Sequence, residues 1–190
     1  MSQIAVPGHS RGEIQRMASR VRKLIDISPE KPFPIVQLLE VLGTPFEDDE
    51  PPALEVEIVA DEELQDNYAE YHPISNTMLI RESVYNGACN GNGRDRFTLA
   101  HELGHFIIHR NVDYKFARSE ERVESYQDPE WQANTFASML LIPRDQIAGN
   151  TIDEVAEKYQ VSKAAARIAL SQAKEGNRLH MTKSMVPKIK

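Results

Sequence analysis

Phe97-Thr98-Leu99-Ala100-His101-Glu102-Leu103-Gly104-His105-Phe106-Ile107-Ile108-His109 sets two imidazoles four residues apart on a predicted helix, with a carboxylate between them. Four residues advance an α-helix by about 400° and roughly 6 Å, so His101 and His105 share a face and can each offer a nitrogen to one cation. Glu102 lies about a quarter-turn away, within reach of a water at that cation without ligating it. Neutral imidazoles with an open position suit Zn²⁺, which lowers the pKa of a bound water to about 7. The pattern predicts equipment for peptide hydrolysis. Thr98, Leu99, Ala100, Leu103, Phe106, Ile107 and Ile108 make the helix apolar nearly all round, which predicts burial. Polar side chains inside such a helix are costly without a metal or a network to satisfy them.

A zinc hydrolase takes a third protein ligand and leaves the fourth position to water. His109 is eight residues beyond His101, roughly 12 Å along a continuing helix, so a supporting or packing role suits it better than ligation. Glu130 is the better candidate, because Glu130-Trp131-Gln132-Ala133-Asn134-Thr135-Phe136-Ala137 puts Glu130 and Asn134 on one face of a later helix. On spacing alone it is as readily a solvated carboxylate near a helix N-terminus, favoured by the dipole.

Outward from this centre, Ser10-Arg11-Gly12-Glu13 has the form of a capping box and opens a helix that ends at Ser28-Pro29. Pro34 fits the first position of a short second helix terminated near Gly43. Glu47 to Pro52 is acidic and proline-bearing, and predicts a loop. Glu55 to Val59 alternates as a half-buried strand, and Ala69 to His72 and Thr77 to Ile80 flank a turn, together predicting a small antiparallel sheet. Asn86-Gly87-Ala88-Cys89-Asn90-Gly91-Asn92-Gly93 predicts a flexible loop by composition. A helix over Pro129 to Leu141 stops before Pro143. Thr151 to Leu170 predicts helix, a turn at Gln160 to Ser162, and helix, with Val155, Ala156, Val161, Ile168 and Leu170 as its core.

The 190 residues, 41% hydrophobic and 27% charged, suit a soluble globular chain with one main domain. No apolar run approaches the ~20 residues of a membrane span and no signal-peptide core follows Met1, which predicts a cytoplasmic protein. The one cysteine agrees with a reducing compartment. Residues 151–190 carry net +4 within a chain of net −7, leaving −11 for the rest. That acidic body argues against nonspecific nucleic-acid binding over the whole surface, while a local basic face stays open.

Arg96-Phe97-Thr98-Leu99-Ala100-His101-Glu102-Leu103-Gly104-His105, followed by Glu130 to Pro143 with its Ala133-Asn134, Phe136-Ala137 and Leu140-Leu141-Ile142-Pro143, resembles the ImmA/IrrE family of zinc metallopeptidases. The resemblance covers about residues 10 to 170 and is strongest from the hairpin onward. It implies His101, His105 and Glu130 as metal ligands, Zn²⁺ as the cofactor and Glu102 as general base. It also implies limited proteolysis of a helix-turn-helix repressor, releasing transcription of a mobile element or a stress response. The expected fold is α+β: a small antiparallel sheet on a zincin-like helical core. Its expected divisions are a peptidase domain over 1–148, a helix-turn-helix-like segment over 149–175 packed on it as scaffold, and a mobile basic tail over 176–190. His109 and Tyr71 are the candidates for further oxyanion stabilisation.

Cys89, 12 residues before His101, is either a free thiol or a fourth zinc ligand carried over the metal by its loop, silencing the site until the loop moves. The chain also resembles the CapP branch of the family, from bacterial antiphage operons, which implies a cysteine switch of this kind and activation by single-stranded DNA. Arg94, Arg96, Lys115, Arg118 and Arg122 could form a phosphate-contacting rim with Tyr114 and Phe116 stacking on bases, or an ordinary solvated surface. The competing function is a non-enzymatic DNA-binding regulator with a closed structural zinc site, for which Cys89 would be the fourth ligand.

Overall fold

The computed structural model describes residues 3–45, 51–112, 118–119 and 123–184, of which 3, 118–119 and 175–184 are described in their backbone alone. In order, the elements are β1 (Gln3–Ile4), α1 (Arg11–Leu24), α2 (Ile35–Leu42), β2 (Glu55–Val59), β3 (Ala69–His72), β4 (Thr77–Arg81), α3 (Glu82–Cys89), α4 (Gly93–His109), β5 (Arg118–Ser119), α5 (Pro129–Leu141), α6 (Ile152–Tyr159) and α7 (Lys163–Ser184). The fold is α+β, as expected. Among the described residues no helix is long and apolar enough to cross a membrane.

The helix ends follow from local chemistry. Ser10 and Glu13 cap α1 reciprocally: the Ser10 backbone N–H donates to Glu13 Oε2 at 2.8 Å and the Glu13 N–H to Ser10 Oγ at 3.3 Å. Thr151 and Glu154 do the same for α6. Asp128 caps α5 through the Glu130 N–H, with Pro129 in the first turn. Pro34 stands one place earlier than expected, as the N-cap of α2.

The sheet corrects one expectation. β3 and β4 form the predicted antiparallel hairpin, but β2 runs parallel to β4, giving the order β2-β4-β3 and a mixed sheet. A parallel pair needs a crossover of a dozen residues or more, and residues 60–76 provide it. β4 takes the centre because Met78 and Ile80 are fully buried there, while β2 leaves Glu55 and Glu57 exposed, as an edge strand can. A separate antiparallel pair joins β1 to β5.

The core lies where α4 crosses α5. Leu99, Leu103, Phe136, Ala137 and Leu140 are fully buried there, with Ile14 and Ala18 of α1 and Met78 and Ile80 of β4 against the same cluster. Each large apolar side chain so buried contributes about 1.5–3 kcal/mol relative to exposure. Gly104 allows the crossing to be close: a Cβ there would lie 3.1 Å from the Ala133 Cα and 3.2 Å from the Phe136 ring.

Two arginines lock this arrangement. Arg22 of α1 donates to the Leu140 carbonyl at the end of α5 and to the Ser28 and Lys31 carbonyls, each at 2.7 Å. Arg96 of α4 donates to the Phe33 carbonyl at 2.7 Å and to the Gln160 carbonyl at 3.1 Å, tying the turn between α6 and α7 to the start of the metal-motif helix. The helix-turn-helix-like segment therefore packs on the rest through Arg96, through Tyr159 OH on the Pro29 carbonyl, and through Arg144 on Gln172 Oε1.

Two further expectations, on Asn86–Gly93 and on Ile168, are corrected here. The Asn86–Gly93 stretch is not a flexible loop: it comprises the end of α3, a tight turn and the start of α4. Its glycines serve packing, since Gly87 sits against the Asp95 carboxylate and Gly93 against the Val161–Ser162 backbone, while Gly91 takes φ +80°. Ile168 is not core but 55% exposed; Tyr159, Ala166 and Ala169 take that role beside Val155 and Val161. The tail expected over 176–190 is helical to Ser184, with 185–190 outside the described residues. Most of the predicted acidic loop, residues 46–50, also lies outside them.

Candidate metal centre

α4 brings His101, Glu102 and His105 to one side of the α4–α5 crossing, and α5 places Glu130 opposite them. His101 Nε2 lies 3.3 Å from Glu130 Oε2, His105 Nε2 lies 3.2 Å from Glu130 Oε1, and the two Nε2 atoms are 3.1 Å apart. Two donors at about 2.0–2.1 Å from one tetrahedral cation are separated by about 3.3 Å, so this triangle has the dimensions of a metal cradle. Among the described residues His101, His105 and Glu130 form such a group. The donor set of two imidazoles and a carboxylate fits a divalent metal of the zinc type.

The orientations of these side chains are supported from behind. Asn134, one turn after Glu130, places Oδ1 3.1 Å from His101 Nδ1, which puts the ring proton on that side and the lone pair at Nε2. His105 Nδ1 lies 3.1 Å from His109 Nδ1, and His109 Nε2 lies 2.9 Å from Gln132 Oε1. His109 is fully buried, away from the cleft, which agrees with a supporting role and removes it as an oxyanion donor. Burial, partly offset by the Gln132 bond, pushes the His109 imidazole down to about 4, so it is neutral at physiological pH.

Glu102 is 8% exposed, and its Oε2 accepts the Tyr71 backbone N–H of β3 at 2.9 Å. That bond leaves Oε1 on the cluster side, 3.9 Å from His101 Nε2. Burial raises the Glu102 carboxyl above its ordinary range against the lowering pull of His101, His105 and the Tyr71 bond, as suits a proton acceptor. Glu130 is held well below the usual range by the His101 and His105 bonds. Burial disfavours charge on His101, but the Glu130 bond and the charges of Glu102 and Glu130 outweigh it and raise it. The cluster is a place that attracts positive charge.

The centre opens into a cleft of about 740 Å³ between β3, the Pro73–Ser75 turn and the α4–α5 pair. The cleft-lining side of β3 is a sheet edge. Tyr71 lines the cleft, with its ring edge-on to Phe106 at 5.7 Å and its hydroxyl directed to Asn76 Oδ1 at 3.2 Å.

Peptidase family M78, described as the IrrE N-terminal-like domain, matches residues 58–171. The chain belongs to this IrrE/ImmA family of metallopeptidases. The match runs from β2 into α7 and so takes in the metal centre and the helix-turn-helix-like segment together. No curated protein matches the chain.

Other residues expected at the site are elsewhere. Cys89 is exposed at the C-terminal end of α3 and lines a separate pocket with Phe33, Gln37 and Glu40. It is not in the metal group, because the segment expected to carry it over the metal is helix and tight turn. Arg96 is buried with its guanidinium committed to carbonyl oxygens, so it cannot contact phosphate. Arg94 is exposed and lies over the Tyr68 ring at 4.6 Å. Tyr114, Lys115, Phe116 and Arg122 lie outside the described residues, and Arg118 is described only in its backbone.

Sequence reasoning missed two partners. The Tyr71 N–H is a backbone group and leaves no mark in a sequence. Gln132 does leave one: it is the polar member of the buried stripe Gln132, Ala133, Phe136, Ala137 and Leu140 on α5. A polar residue in such a stripe needs a partner.

Proposed function

We propose that this metallopeptidase is a cytoplasmic zinc endopeptidase with His101, His105 and Glu130 as metal ligands and Glu102 as general base. Its proposed substrate is a helix-turn-helix repressor whose cleavage derepresses a stress or antiphage defence operon, with single-stranded DNA as activator. The observation that carries the catalytic part is Glu102 Oε1 turned toward three converging ligand atoms while Oε2 is tied to Tyr71. Substrate and activator rest on the resemblance of residues 96–105 and 130–143 to the family and its CapP branch.

When bound, Zn²⁺ would supply Lewis acidity to the scissile carbonyl and lower the pKa of water. The chain's own residues do the rest. The edge of β3 offers backbone groups along which an extended peptide can lie, with the scissile bond over the α4 face. Glu102 Oε1 takes the proton of the attacking water and passes it to the leaving amine; the Tyr71 N–H keeps the carboxylate from rotating away. The competing regulator with a closed structural site needs a fourth protein ligand, and among the described residues the group holds three.

The test is incubation of the purified protein with a helix-turn-helix repressor from a neighbouring gene, zinc and single-stranded DNA, with cleavage followed by mass spectrometry. Glu102→Gln is expected to keep its zinc and lose cleavage by about 10²–10⁴-fold. Undiminished cleavage by that variant overturns the assignment, and equal cleavage without DNA removes the activator.

A further inference from the structure

With neutral imidazoles, the hydrogen bonds behind His105 have one consistent proton order. Gln132 Nε2 donates to the Pro7 carbonyl at 2.9 Å and the Tyr126 carbonyl at 2.7 Å. Carbonyl oxygens only accept, so the amide cannot be turned round, and Gln132 Oε1 must face His109. That oxygen also only accepts, so His109 carries its proton on Nε2. A neutral imidazole then has a lone pair at Nδ1, and the atom facing it, His105 Nδ1, must be the donor. The last consequence falls at the metal centre: His105 Nε2 is left unprotonated, directed at Glu130 and His101.

We propose that His109 and Gln132 are positioning residues that fix the tautomer of His105, anchored by the carbonyls of Pro7 and Tyr126. This rests on the metal-site reading of His101, His105 and Glu130. The anchor reaches the N-terminal segment, which is built against Tyr126 and Gln127: Val6 N–H donates to the Gln127 carbonyl and His9 N–H to the Tyr126 carbonyl, both at 2.9 Å. Gly8 permits this approach, since a Cβ there would stand 2.6 Å from the Tyr126 ring. Residues 6–9 are thus linked to His105 by three hydrogen-bonding groups in series: the Pro7 carbonyl, Gln132 and His109.

Two variants separate this role from simple filling of space. His109→Leu keeps a buried side chain but removes the acceptor for His105 Nδ1. His109→Asn places its amide oxygen on the same carbon that bears Nδ1 in histidine, so it restores the acceptor. In chelator competition on folded protein, His109→Leu is expected to bind zinc about 10–100-fold more weakly than wild type, the usual cost of losing an outer partner. His109→Asn is expected to recover most of that loss. Equal zinc affinity in wild type and His109→Leu, or no recovery in His109→Asn, overturns the proposal.

A second measurement needs no variant. Long-range proton–nitrogen correlation on zinc-free wild type is expected to show His105 protonated at Nδ1 and His109 at Nε2. His105 protonated at Nε2 overturns the proposal. Failure of wild type to bind zinc would remove the metal-site reading instead, and would leave the tautomer result standing.

Discussion

Two sets of polar side chains lie within or against this core, and they end differently. Arg22 and Arg96 send guanidinium N–H groups to backbone carbonyls: Leu140 and Ser28 in one case, Phe33 and Gln160 in the other. Their hydrogen bonds close on the protein. His101, His105 and Glu130 do the reverse, since their outer atoms are held by Asn134 and His109 while their inner atoms converge at 3.1–3.3 Å as acceptors. A buried polar group whose hydrogen bonds end on the chain explains the fold, whereas one whose acceptors face each other calls for a cation.

Removing a member of the convergent set should have the largest effect. Glu130→Ala takes away the carboxylate that faces both imidazoles. Zinc affinity, measured by chelator competition, should fall by about 10³-fold or more, about 4 kcal/mol, beyond the ~10–100-fold of an outer partner. The fold should survive, because Glu130 is exposed and is not part of the hydrophobic core cluster. Retention of wild-type affinity would mean that the convergence at Glu130 is incidental.

Arg96→Met is the mirror experiment. It leaves the Gln160 carbonyl without its Arg96 bond and takes one of two donors from the Phe33 carbonyl, which also accepts the Ile35 N–H. Unfolding free energy by denaturant titration should drop by about 2–3 kcal/mol. Zinc affinity should change little, since no ligand touches Arg96. A collapse of metal binding with unchanged stability would erase the distinction between the two sets.

The distinction also marks where the sequence could be read. Capping residues and the His101–His105 spacing act within a few residues, so α1, α4, α5 and the metal-facing side of α4 were legible. Arg96 looked like part of a basic rim beside Arg94, because nothing local announces that Phe33 and Gln160 will bring their carbonyls to it. The parallel pairing of β2 was hidden for the same reason: alternation sets which residues face inward, not which neighbour the strand takes. At Asn86–Gly93 the glycines misled, since the composition that permits flexibility equally permits the contacts of Gly87 and Gly93.

Metal removal should act on stability on the same scale as Arg96→Met. A cation held only by the folded state stabilises it by about 2.7 kcal/mol at a free concentration of 100 Kd. For a chain of 190 residues that corresponds to a rise in Tm of about 5–10 °C. Differential scanning fluorimetry with and without a chelator checks it. A shift of that size in wild type but absent in Glu130→Ala would show that the stabilisation runs through the convergent set.

Cys89 should mark the lower limit of the scale. The exposed thiol at the end of α3 lies in the pocket beside Phe33 and Gln37, on neither the cleft nor the ligand group. Cys89→Ser removes the thiol at little change in volume, so Tm should move by less than about 2 °C, as for other surface changes. Zinc affinity and the metal-site spectrum, read with Co²⁺ in place of zinc, should match wild type. A loss of sulfur-to-metal absorption in the variant would mean that α3 unwinds and carries the thiol to the cleft. The close approach of Gly87 in α3 to the Asp95 carboxylate opposes that movement, since unwinding α3 there would give it up.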